Sequence, residues 1–319
     1  MLLKSPKITI SICTYNRYDV LPKAIESALQ QSLPPDDYEI LVVDNSPEAK
    51  RAAAFEKKYD GIANLKYIIA PLPGLSRARN TSAELSNAPL LAFMDDDAVA
   101  HPTWLAEILQ AFERYGENTM IVGGRVDPLW GAPRPPWLHE SMLGNLSVVN
   151  WGGDTREALE HEWFAGTNIT FRTQAIRDCG GFATNLGRNG SGASLLSKEE
   201  LHLLQQIRAA GGKLIYAPNA VVEHLVEPER LNRSWFRKRS AWQAVSDYMM
   251  EPEKFSQQGK PYWQGLRGYF NSLPPHERTI RGLLFETNDP DLFRWQVGTI
   301  YMLTALNLAG FDGVDIDPV

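Results

Sequence analysis

Cysteine is nearly absent from this sequence, with two residues in a chain of 319. Two cysteines cannot build the disulfide framework on which small secreted domains depend. Cys13 and Cys179 both lie in apolar stretches, where cysteine usually serves as a small buried hydrophobe. This pattern predicts a chain that works in a reducing compartment, the cytoplasm.

Long hydrophobic runs are missing as well. The nearest candidate, Val297 to Gly310, is shorter than a transmembrane helix and is interrupted by polar residues. The N-terminus lacks the apolar core and the small-residue cleavage site of a signal peptide. We therefore expect a soluble cytoplasmic protein, with at most a peripheral contact at the inner face of a membrane.

The chain has no excess of positive charge. Its formal net charge is −6 and its isoelectric point is near 5.6, whereas a dedicated nucleic-acid binder carries a basic surface. We therefore expect no nucleic acid among its partners. The hydrophobic content of 44% is ample for a large core, either in one large domain or in one domain with an extension.

No glycine follows the first predicted strand. Ile8 to Cys13 runs directly into Thr14, Tyr15, Asn16 and Arg17, where a dinucleotide-binding domain needs a glycine-rich turn. A P-loop pattern is also lacking. A nucleotide bound here would have neither of these phosphate cradles, which makes a bridging metal ion more necessary.

The most informative stretch that is present is Leu90 to Asp97, where five apolar residues run into three consecutive aspartates. Such a run indicates a buried parallel strand, and ligands bind beyond the carboxyl ends of such strands. Adjacent carboxylates repel one another, so Mg²⁺ or Mn²⁺ with a substrate phosphate would compensate their charge. A solvated acidic loop at the end of a strand is the alternative.

Strands and helices alternate through the first hundred residues. The predicted strands cover residues 8–13, 39–43, 65–70 and 90–94, and helical patterns begin near residues 20, 49 and 76. This order predicts a parallel sheet with right-handed crossovers. Thr14, Asp44 and Asp95 to Asp97 follow strands one, two and four, so they should meet along one rim of the sheet.

The sequence beyond the acidic stretch gives shorter elements. We predict helices over residues 102–115, 173–179 and 201–210, and strands over residues 120–126, 213–216 and 220–223. Proline and tryptophan predict a loop over residues 127–137. Residues 183–196, rich in glycine, asparagine and serine, predict a loop that lies over a site.

Charged residues at the starts of two predicted helices have two interpretations each. Arg77 and Arg79 oppose the helix dipole, so Arg79 above all suits a nucleotide diphosphate, although both side chains could simply reach solvent. Ser197 and Glu200 have the spacing of a capping box. One carboxylate of the pair Glu199 and Glu200 can still project into a site while the other caps.

Residues 163–168 and His224 add further candidates. Trp163 offers an apolar face for a sugar ring, with core packing as the alternative, and Gly166 permits close approach of the backbone. His224, placed just beyond a predicted strand, is either structural or an additional ligand for Mn²⁺.

The last third of the chain has a different character, and we treat residues 227–319 as a helical extension. A predicted helix combines a basic face with an aromatic side, formed by Arg233, Trp235, Phe236, Arg237, Lys238, Arg239 and Trp242. Further helices are predicted from His276 and from Pro290, the latter capped by Asp289. The basic face is either solvated or contacts an anionic lipid-linked acceptor at a membrane surface; a homodimer contact is also open.

Eight short motifs follow one another between residues 7 and 226: Ser11–Arg17, Val42–Ser46, Gly74 with Ala78–Asn80, Phe93–Asp97, Gly166–Asn168, Gly180–Phe182, Glu199–Leu201, and Tyr216–Pro218 with His224. In this order they resemble the inverting GT-A glycosyltransferases of family 2. The resemblance implies an α/β GT-A domain over residues 1–226, with a mostly parallel central sheet flanked by helices, followed by the helical extension.

The resemblance also implies roles for individual residues. A nucleotide-diphosphate sugar, most commonly a UDP-sugar, would be held by Thr14, Tyr15, Asn16, Arg17, Asp44, Asn45, Arg79, Asn80, Asp95 and Asp96. Asp97 with His224 would ligate Mn²⁺ or Mg²⁺, and Asp96 fits either role. The sugar and a carbohydrate or lipid-linked acceptor would lie near Trp163, Gly166, Thr167 and Asn168. The pair Glu199 and Glu200 would supply the catalytic base; we favour Glu200, where the family more often has aspartate.

Two other functions stay open at this point. A sugar-phosphate nucleotidyltransferase also combines an α/β sheet, a metal and a nucleotide, but usually has a glycine-rich basic loop after its first strand, which is missing here. A non-catalytic protein that binds nucleotides or carbohydrates is the other alternative. The retained acidic triplet, acidic pair and histidine argue against it.

Overall fold

The structure is a computed structural model that describes residues 5–190, 194–257 and 259–310. Residues 191–193 of the predicted loop and residues 311–319 of the predicted extension lie outside the described residues. The chain forms two compact units. The first unit contains Met1–Leu129, Ser147–Ser191 and Glu199–Leu225, and the second contains Trp130–Leu146, Gly192–Lys198 and Val226–Val319.

The first unit begins with the predicted alternation of strands and helices. Its elements are β1 (Ile8–Thr14), α1 (Leu21–Leu29), β2 (Tyr38–Asp44), α2 (Ala49–Glu56), β3 (Leu65–Ile69), α3 (Leu75–Leu85) and β4 (Leu90–Asp95). β1 pairs in parallel with β2 and β4, and β2 with β3. The register sets Thr14 opposite Asp44 and Cys13 opposite Asp95, so the predicted rim is present.

The remainder of this sheet is antiparallel. Its elements are β5 (Ala98–Ala100), α4 (Trp104–Tyr115), β6 (Thr119–Trp130), β7 (Arg156–Glu157), β8 (Ile169–Arg172), α5 (Thr173–Asp178), α6 (Glu199–Ala209) and β9 (Lys213–Val226). β8 pairs with β4 and β6, and β9 pairs with β5 and β7. The strand order is β3-β2-β1-β4-β8-β6-β9-β5, which makes the fold α/β with a mixed sheet.

In the antiparallel part of the sheet, two predictions that we based on proline residues are wrong. The loop predicted over residues 127–137 starts later, because β6 continues to Trp130. The two short strands predicted near residue 218 form the single strand β9. Pro218 falls between the segments of β9 that pair with β7 and β5, where its missing N–H interrupts neither pairing.

Both faces of β4 are buried, which explains its continuous apolar run. Leu90, Ala92 and Met94 belong to a cluster that also contains the apolar residues of α1 and α4. Leu91 and Phe93 belong to a second cluster that includes residues of α6 and β8. The core therefore holds the carboxyl end of β4, and the three aspartates with it, in a fixed position.

The second unit is mainly helical, as predicted, with α7 (Arg233–Met250), α8 (Pro252–Gln257), α9 (Gly259–Ser272) and α10 (Pro290–Leu308). Asp289 caps α10 by accepting the N–H groups of Asp291 and Leu292, which confirms the predicted cap. The helix predicted from His276 is wrong. His276 lies in the short 3₁₀ turn Pro275–Glu277, and the helical backbone ends there because Arg278, with a ψ of 51°, and Thr279, with an extended backbone, leave the helical region.

None of the helices in the described part of the chain is both long enough and apolar enough to cross a membrane. On the aromatic side of α7, Phe236 is buried, whereas Trp235 and Trp242 are partly exposed. Phe236 packs edge-to-face on Trp137 and Phe293, with ring centroids 5.5 and 6.5 Å apart. The guanidinium of Arg233 lies 5.3 Å from the centroid of Trp137.

Candidate active site

The rim at the carboxyl ends of β1 and β4 brings the first polar side chains together. The hydroxyl of Thr14 donates to Asp96 Oδ2 at 2.7 Å. The backbone N–H of Asp95 donates to Thr167 Oγ1 at 3.2 Å. Thr14, Thr167 and Asp96 are all buried. These contacts fix the turn that carries the three aspartates.

Asp95, Asp97 and His224 form a cluster suited to a metal ion. One potential ligand atom from each lies within 4.8 Å of the other two. His224 Nε2 is 3.3 Å from Asp97 Oδ1 and 4.0 Å from Asp95 Oδ2. Hard carboxylate oxygens with one imidazole nitrogen suit Mn²⁺ or Mg²⁺, so the donor set fits a divalent cation.

His224 reaches this cluster from within a strand, so its predicted position beyond a strand end is wrong. β9 pairs with β5, the short strand that directly follows the aspartates, and sets His224 opposite Ala98. The ring is 2% exposed. The antiparallel pairing of β5 with β9, which are more than one hundred residues apart in sequence, therefore brings His224 to the aspartates.

Arg17 contacts two of the three consecutive aspartates. Its Nη1 is 3.2 Å from Asp96 Oδ1 and its Nη2 is 2.8 Å from Asp97 Oδ2. Asn16, just before it, has a φ of 56°, a left-handed conformation that asparagine tolerates, and its N–H donates to Ser46 Oγ. Burial raises the pKa of Asp96 to about 7, with the Arg17 charge opposing this rise.

Glu199 and Glu200 are the first residues of α6, and their environments differ. The side chain of Glu199 is 4% exposed, and its Oε1 accepts a hydrogen bond from Arg79 Nη1 at 2.6 Å. The side chain of Glu200 is 18% exposed, with Oε2 4.0 Å from the same nitrogen. Among the described residues, Glu200 Oε2 has no hydrogen-bond partner. Burial and then the charge of Glu199 raise the pKa of Glu200 to about 7.

The capping box considered for Glu200 is not formed. α6 begins at Glu199, so Glu200 is its second residue and not the third that a capping box requires. The N–H of Ser197 donates to Ser246 Oγ instead, at 3.2 Å. The Glu200 carboxylate is therefore not needed to start the helix.

Arg79 lies at the centre of the acidic side chains and is 3% exposed. Besides its bond to Glu199, its Nη2 is 3.7 Å from Asp95 Oδ1. Gly166 lies against the guanidinium, because a Cβ atom there would be 2.3 Å from Arg79 Nη2. The close approach predicted for Gly166 is thus an approach to Arg79.

Asp44 is placed at the rim but is fully buried, and its hydrogen bonds are made within the protein. Oδ2 accepts from the hydroxyls of Tyr18 and Tyr67 at 2.9 and 2.6 Å, and Oδ1 accepts from the N–H and hydroxyl of Ser46. An ionised carboxylate has about four acceptor positions, and these four donors fill them. Sequence reasoning did not find the two tyrosines: parallel pairing of β2 with β3 brings Tyr67 to Asp44, and Tyr18 comes from the turn before α1.

The side-chain amides of Asn80 and Asn168 are also engaged internally. Asn80 donates to the carbonyl of Phe182 and accepts from its N–H at 3.0 and 2.7 Å. Asn168 accepts from Trp104 Nε1 and donates to the carbonyls of Arg125 and Ala220, each at 2.8 Å. Both asparagines hold loops beside the cluster.

The other candidates lie on the surrounding loops. Tyr15 is partly exposed after β1, and Asn45 Nδ2 donates to the carbonyl of Gly74 at 3.0 Å. Trp163 is partly buried and packs against the apolar cluster beside β8. Its ring lies edge-to-face with that of Trp151 at 6.3 Å.

Residues 9–180, more than half of the chain, match the model of Glycosyl transferase family 2. The chain belongs to this family. It is 28% identical over 252 residues to the glucosyl-dolichyl phosphate glucuronosyltransferase of Haloferax volcanii, covering 77% of each chain. It is 26% identical over 235 residues to the succinoglycan biosynthesis protein ExoM of Rhizobium meliloti, covering 73% of this chain and 71% of that one.

Solved structures of similar shape establish the GT-A fold for this family 2 chain. The mannosyltransferase PcManGT from Pyrobaculum calidifontis, in complex with GDP-Man and Mn²⁺, superposes with a TM-score of 0.59 at 16% identity, over 97% of this chain and 88% of that one. TarS 1-349 of S. aureus, in complex with UDP-GlcNAc, has a TM-score of 0.54 at 15% identity, over 94% and 90%. The predicted fold is confirmed.

Proposed function

We propose that this family 2 glycosyltransferase is an inverting, metal-dependent enzyme that moves a sugar from a UDP-sugar to an acceptor hydroxyl. The observation that carries the proposal is the position of two different carboxylates around Arg79. Asp95 of the metal-suited cluster lies 3.7 Å from its guanidinium, and Glu200, with one oxygen free of hydrogen bonds to the described residues, lies 4.0 Å from it. A candidate cation ligand and a candidate base thus both lie within 4.0 Å of one guanidinium.

Asp95, Asp97 and His224 are the proposed metal ligands. The Mn²⁺ bound with GDP-Man in the mannosyltransferase of similar fold supports manganese as the ion. A bound divalent ion neutralises the negative charge that grows on a departing diphosphate. Arg17, which already contacts the aspartates, is proposed to pair with the diphosphate oxygens, while Thr14, Tyr15, Asn16 and Asn45 line the nucleotide.

Glu200 is the proposed base. Its pKa near 7 is close to the value at which a carboxylate is both ionised and basic enough to take a proton at neutral pH. The acceptor hydroxyl loses its proton to Glu200, its oxygen bonds to the anomeric carbon, and the bond from that carbon to the diphosphate breaks on the opposite face. This displacement inverts the anomeric configuration and needs no covalent intermediate.

The acceptor is proposed to be lipid-linked or part of a growing polysaccharide. The names of two relatives, a glucosyl-dolichyl phosphate glucuronosyltransferase and a succinoglycan biosynthesis protein, support these two classes. Trp163 and Thr167 are proposed to lie beside the sugar or the acceptor. Residues 227–319 are proposed as an extension that contacts the acceptor, the inner face of a membrane or a second copy of the chain.

The first experiment is a thermal-shift screen against UDP, GDP, CDP and dTDP, each with and without Mn²⁺. A ligand that binds only the folded state raises the melting temperature by mass action, so a metal-dependent shift identifies the base of the donor. The corresponding nucleotide sugars are then incubated with simple acceptors, and the anomeric configuration of the product is read by proton NMR.

We expect a metal-dependent shift with UDP and a product of inverted configuration. A product of retained configuration would contradict the proposed single displacement. Pyrophosphate release from a nucleoside triphosphate and a sugar phosphate would favour a nucleotidyltransferase, and binding without turnover of any donor would favour a non-catalytic binding protein.

A further inference from the structure

The side chain of Arg79 connects three segments that are far apart in sequence. Its Nη1 bonds to Glu199 at the start of α6, and its Nη2 faces Asp95 at the end of β4, at 2.6 and 3.7 Å. The third segment is the turn at Gly166, whose backbone lies against the guanidinium. A side chain that reaches these three places sets the distance between the end of β4 and the start of α6.

The surroundings of Arg79 leave its guanidinium little freedom. The rings of Phe93 and Phe182 each lie with their centroids 5.6 Å from its Cζ atom, a distance at which a cation is attracted to an aromatic face. Gly166 is required for this position, since any side chain there would overlap both terminal nitrogens. These neighbours surround Arg79 and leave it only 3% exposed.

Charge explains why Glu199 stays with Arg79. A buried cation is costly unless a carboxylate pairs with it, and breaking such a pair leaves the partner charge uncompensated. Glu199 is the only carboxylate that the described residues set within hydrogen-bond distance of Arg79. Glu200, next to it in sequence, lies 4.0 Å from the guanidinium, and its Oε2 has no hydrogen-bond partner among the described residues.

We propose that Arg79 is a positioning residue, which locks Glu199 and thereby holds Glu200 at a fixed place relative to the metal cluster. This inference rests on the proposed function in one respect, the role of Glu200 as the base. It replaces the role as a nucleotide ligand that the sequence suggested for Arg79. A planar, forked guanidinium can serve Glu199 and Asp95 together, whereas the single ammonium of lysine cannot.

The test compares Arg79→Lys, Gly166→Ala and Glu199→Gln in the full-length chain with Mn²⁺ and the nucleotide sugar identified by the screen. Misplacement of a reacting group by about 1 Å costs on the order of 100-fold in rate. We expect Arg79→Lys and Gly166→Ala to lower kcat by this order while KM for the donor stays unchanged. Because both act through one contact, combining either with Glu199→Gln should cost less than the sum of the single effects.

A second measurement does not depend on turnover. Amide hydrogen exchange at residues 199–203 should become faster in Arg79→Lys and in Gly166→Ala, because the start of α6 loses its anchor. Arg156→Lys is the matched control. It disrupts another arginine–carboxylate pair, with Glu162 at 2.6 and 2.7 Å, and should leave both kcat and this exchange unchanged.

Two results would overturn the inference. A loss of donor and nucleotide affinity in Arg79→Lys, with kcat preserved, would make Arg79 a ligand of the donor. Unchanged hydrogen exchange at the start of α6 would show that Arg79 does not hold it. If the wild-type chain turned over no donor at all, the proposed function would fail, and the exchange experiment would still decide the positioning role.

Discussion

The acidic side chains of the candidate site contact two arginines, and the two arginines differ in burial. Arg17 contacts Asp96 and Asp97 with 29% of its side chain exposed, whereas Arg79 contacts Glu199 with 3% exposed. An exposed ion pair is weak and screened by salt, while a buried one is strongly destabilised by removing either partner. We therefore expect Arg17, the more exposed of the two, to change partners more easily than Arg79.

This difference matches the proposed chemistry at each group. In the proposed mechanism the aspartates bind a divalent cation, which in turn holds the donor diphosphate, so a counter-ion that is easily displaced suits them. The glutamates must keep one geometry while the acceptor changes, so a buried counter-ion suits them. Four predictions test this comparison, from the largest expected effect to the smallest.

Removing the base should have the largest effect. Glu200→Gln keeps the size of the side chain but cannot take a proton, so we expect kcat to fall by about 10²–10⁴-fold, the usual contribution of general acid–base catalysis. Nucleotide binding with Mn²⁺, measured by thermal shift, should be unchanged. If Glu200→Gln stayed active and Glu199→Gln were inactive, the two glutamates would have the opposite roles.

Removing a metal ligand should abolish metal-dependent binding. Asp97→Ala takes away a carboxylate that faces His224 at 3.3 Å. We expect Mn²⁺ affinity, measured by calorimetry in the presence of nucleotide, to fall by at least about 100-fold, the upper end of the cost of losing a supporting outer-shell group. Asp127→Ala, which removes an acid paired with Arg125, is the control and should bind Mn²⁺ normally. Normal affinity in Asp97→Ala would remove Asp97 from the metal site.

The pH dependence should report the ionisation of Glu200. Since burial and Glu199 raise its pKa to about 7, the neutral form dominates below pH 7 and the basic form above it. We expect kcat/KM to rise with pH, by close to tenfold per unit at low pH, and to level off above about pH 7. A profile that is flat between pH 5 and 8 would contradict a base with this raised pKa.

Loss of Arg17 should have the smallest effect. The direction of the change in Mn²⁺ affinity is the informative result. In Arg17→Ala, Asp97 no longer shares its charge with the guanidinium, so Mn²⁺ affinity without nucleotide should rise, by up to about fivefold for a partly exposed pair. Nucleotide affinity in the presence of Mn²⁺ should fall. A decrease of Mn²⁺ affinity without nucleotide would show that Arg17 organises the cluster and does not compete for it.

Much of the fold was predictable from local pattern. Apolar runs and amphipathic helical patterns predict the alternation of strands and helices from β1 to β4. The carboxyl ends of parallel strands lie on one rim of the sheet. For this reason the sequence located Thr14, Asp44 and the aspartates together. It missed the antiparallel half of the sheet, because short strands such as β5 and β7 have no distinctive period and Pro218 was taken for a strand end.

The candidate residues were likewise predictable by type but not by contact. Arg79 was noted because its charge opposes the helix dipole, yet its partner Glu199 is 120 positions away. His224 was noted as an imidazole near a strand end, and strand pairing brought it to Asp97. Asp44 and Asn168 were assigned to ligands, whereas buried donors and acceptors of the protein itself engage them.

The sequence by itself determined the chemistry that is available: hard carboxylates after a buried strand, an acidic pair at the start of a helix, and a family-specific order of motifs. The tertiary structure alone decided which carboxylates each arginine contacts, and so which of the two glutamates is hydrogen-bonded to Arg79. The physical reason is that burial and charge compensation depend on distances in space. Those distances are set by packing between segments that local sequence does not relate.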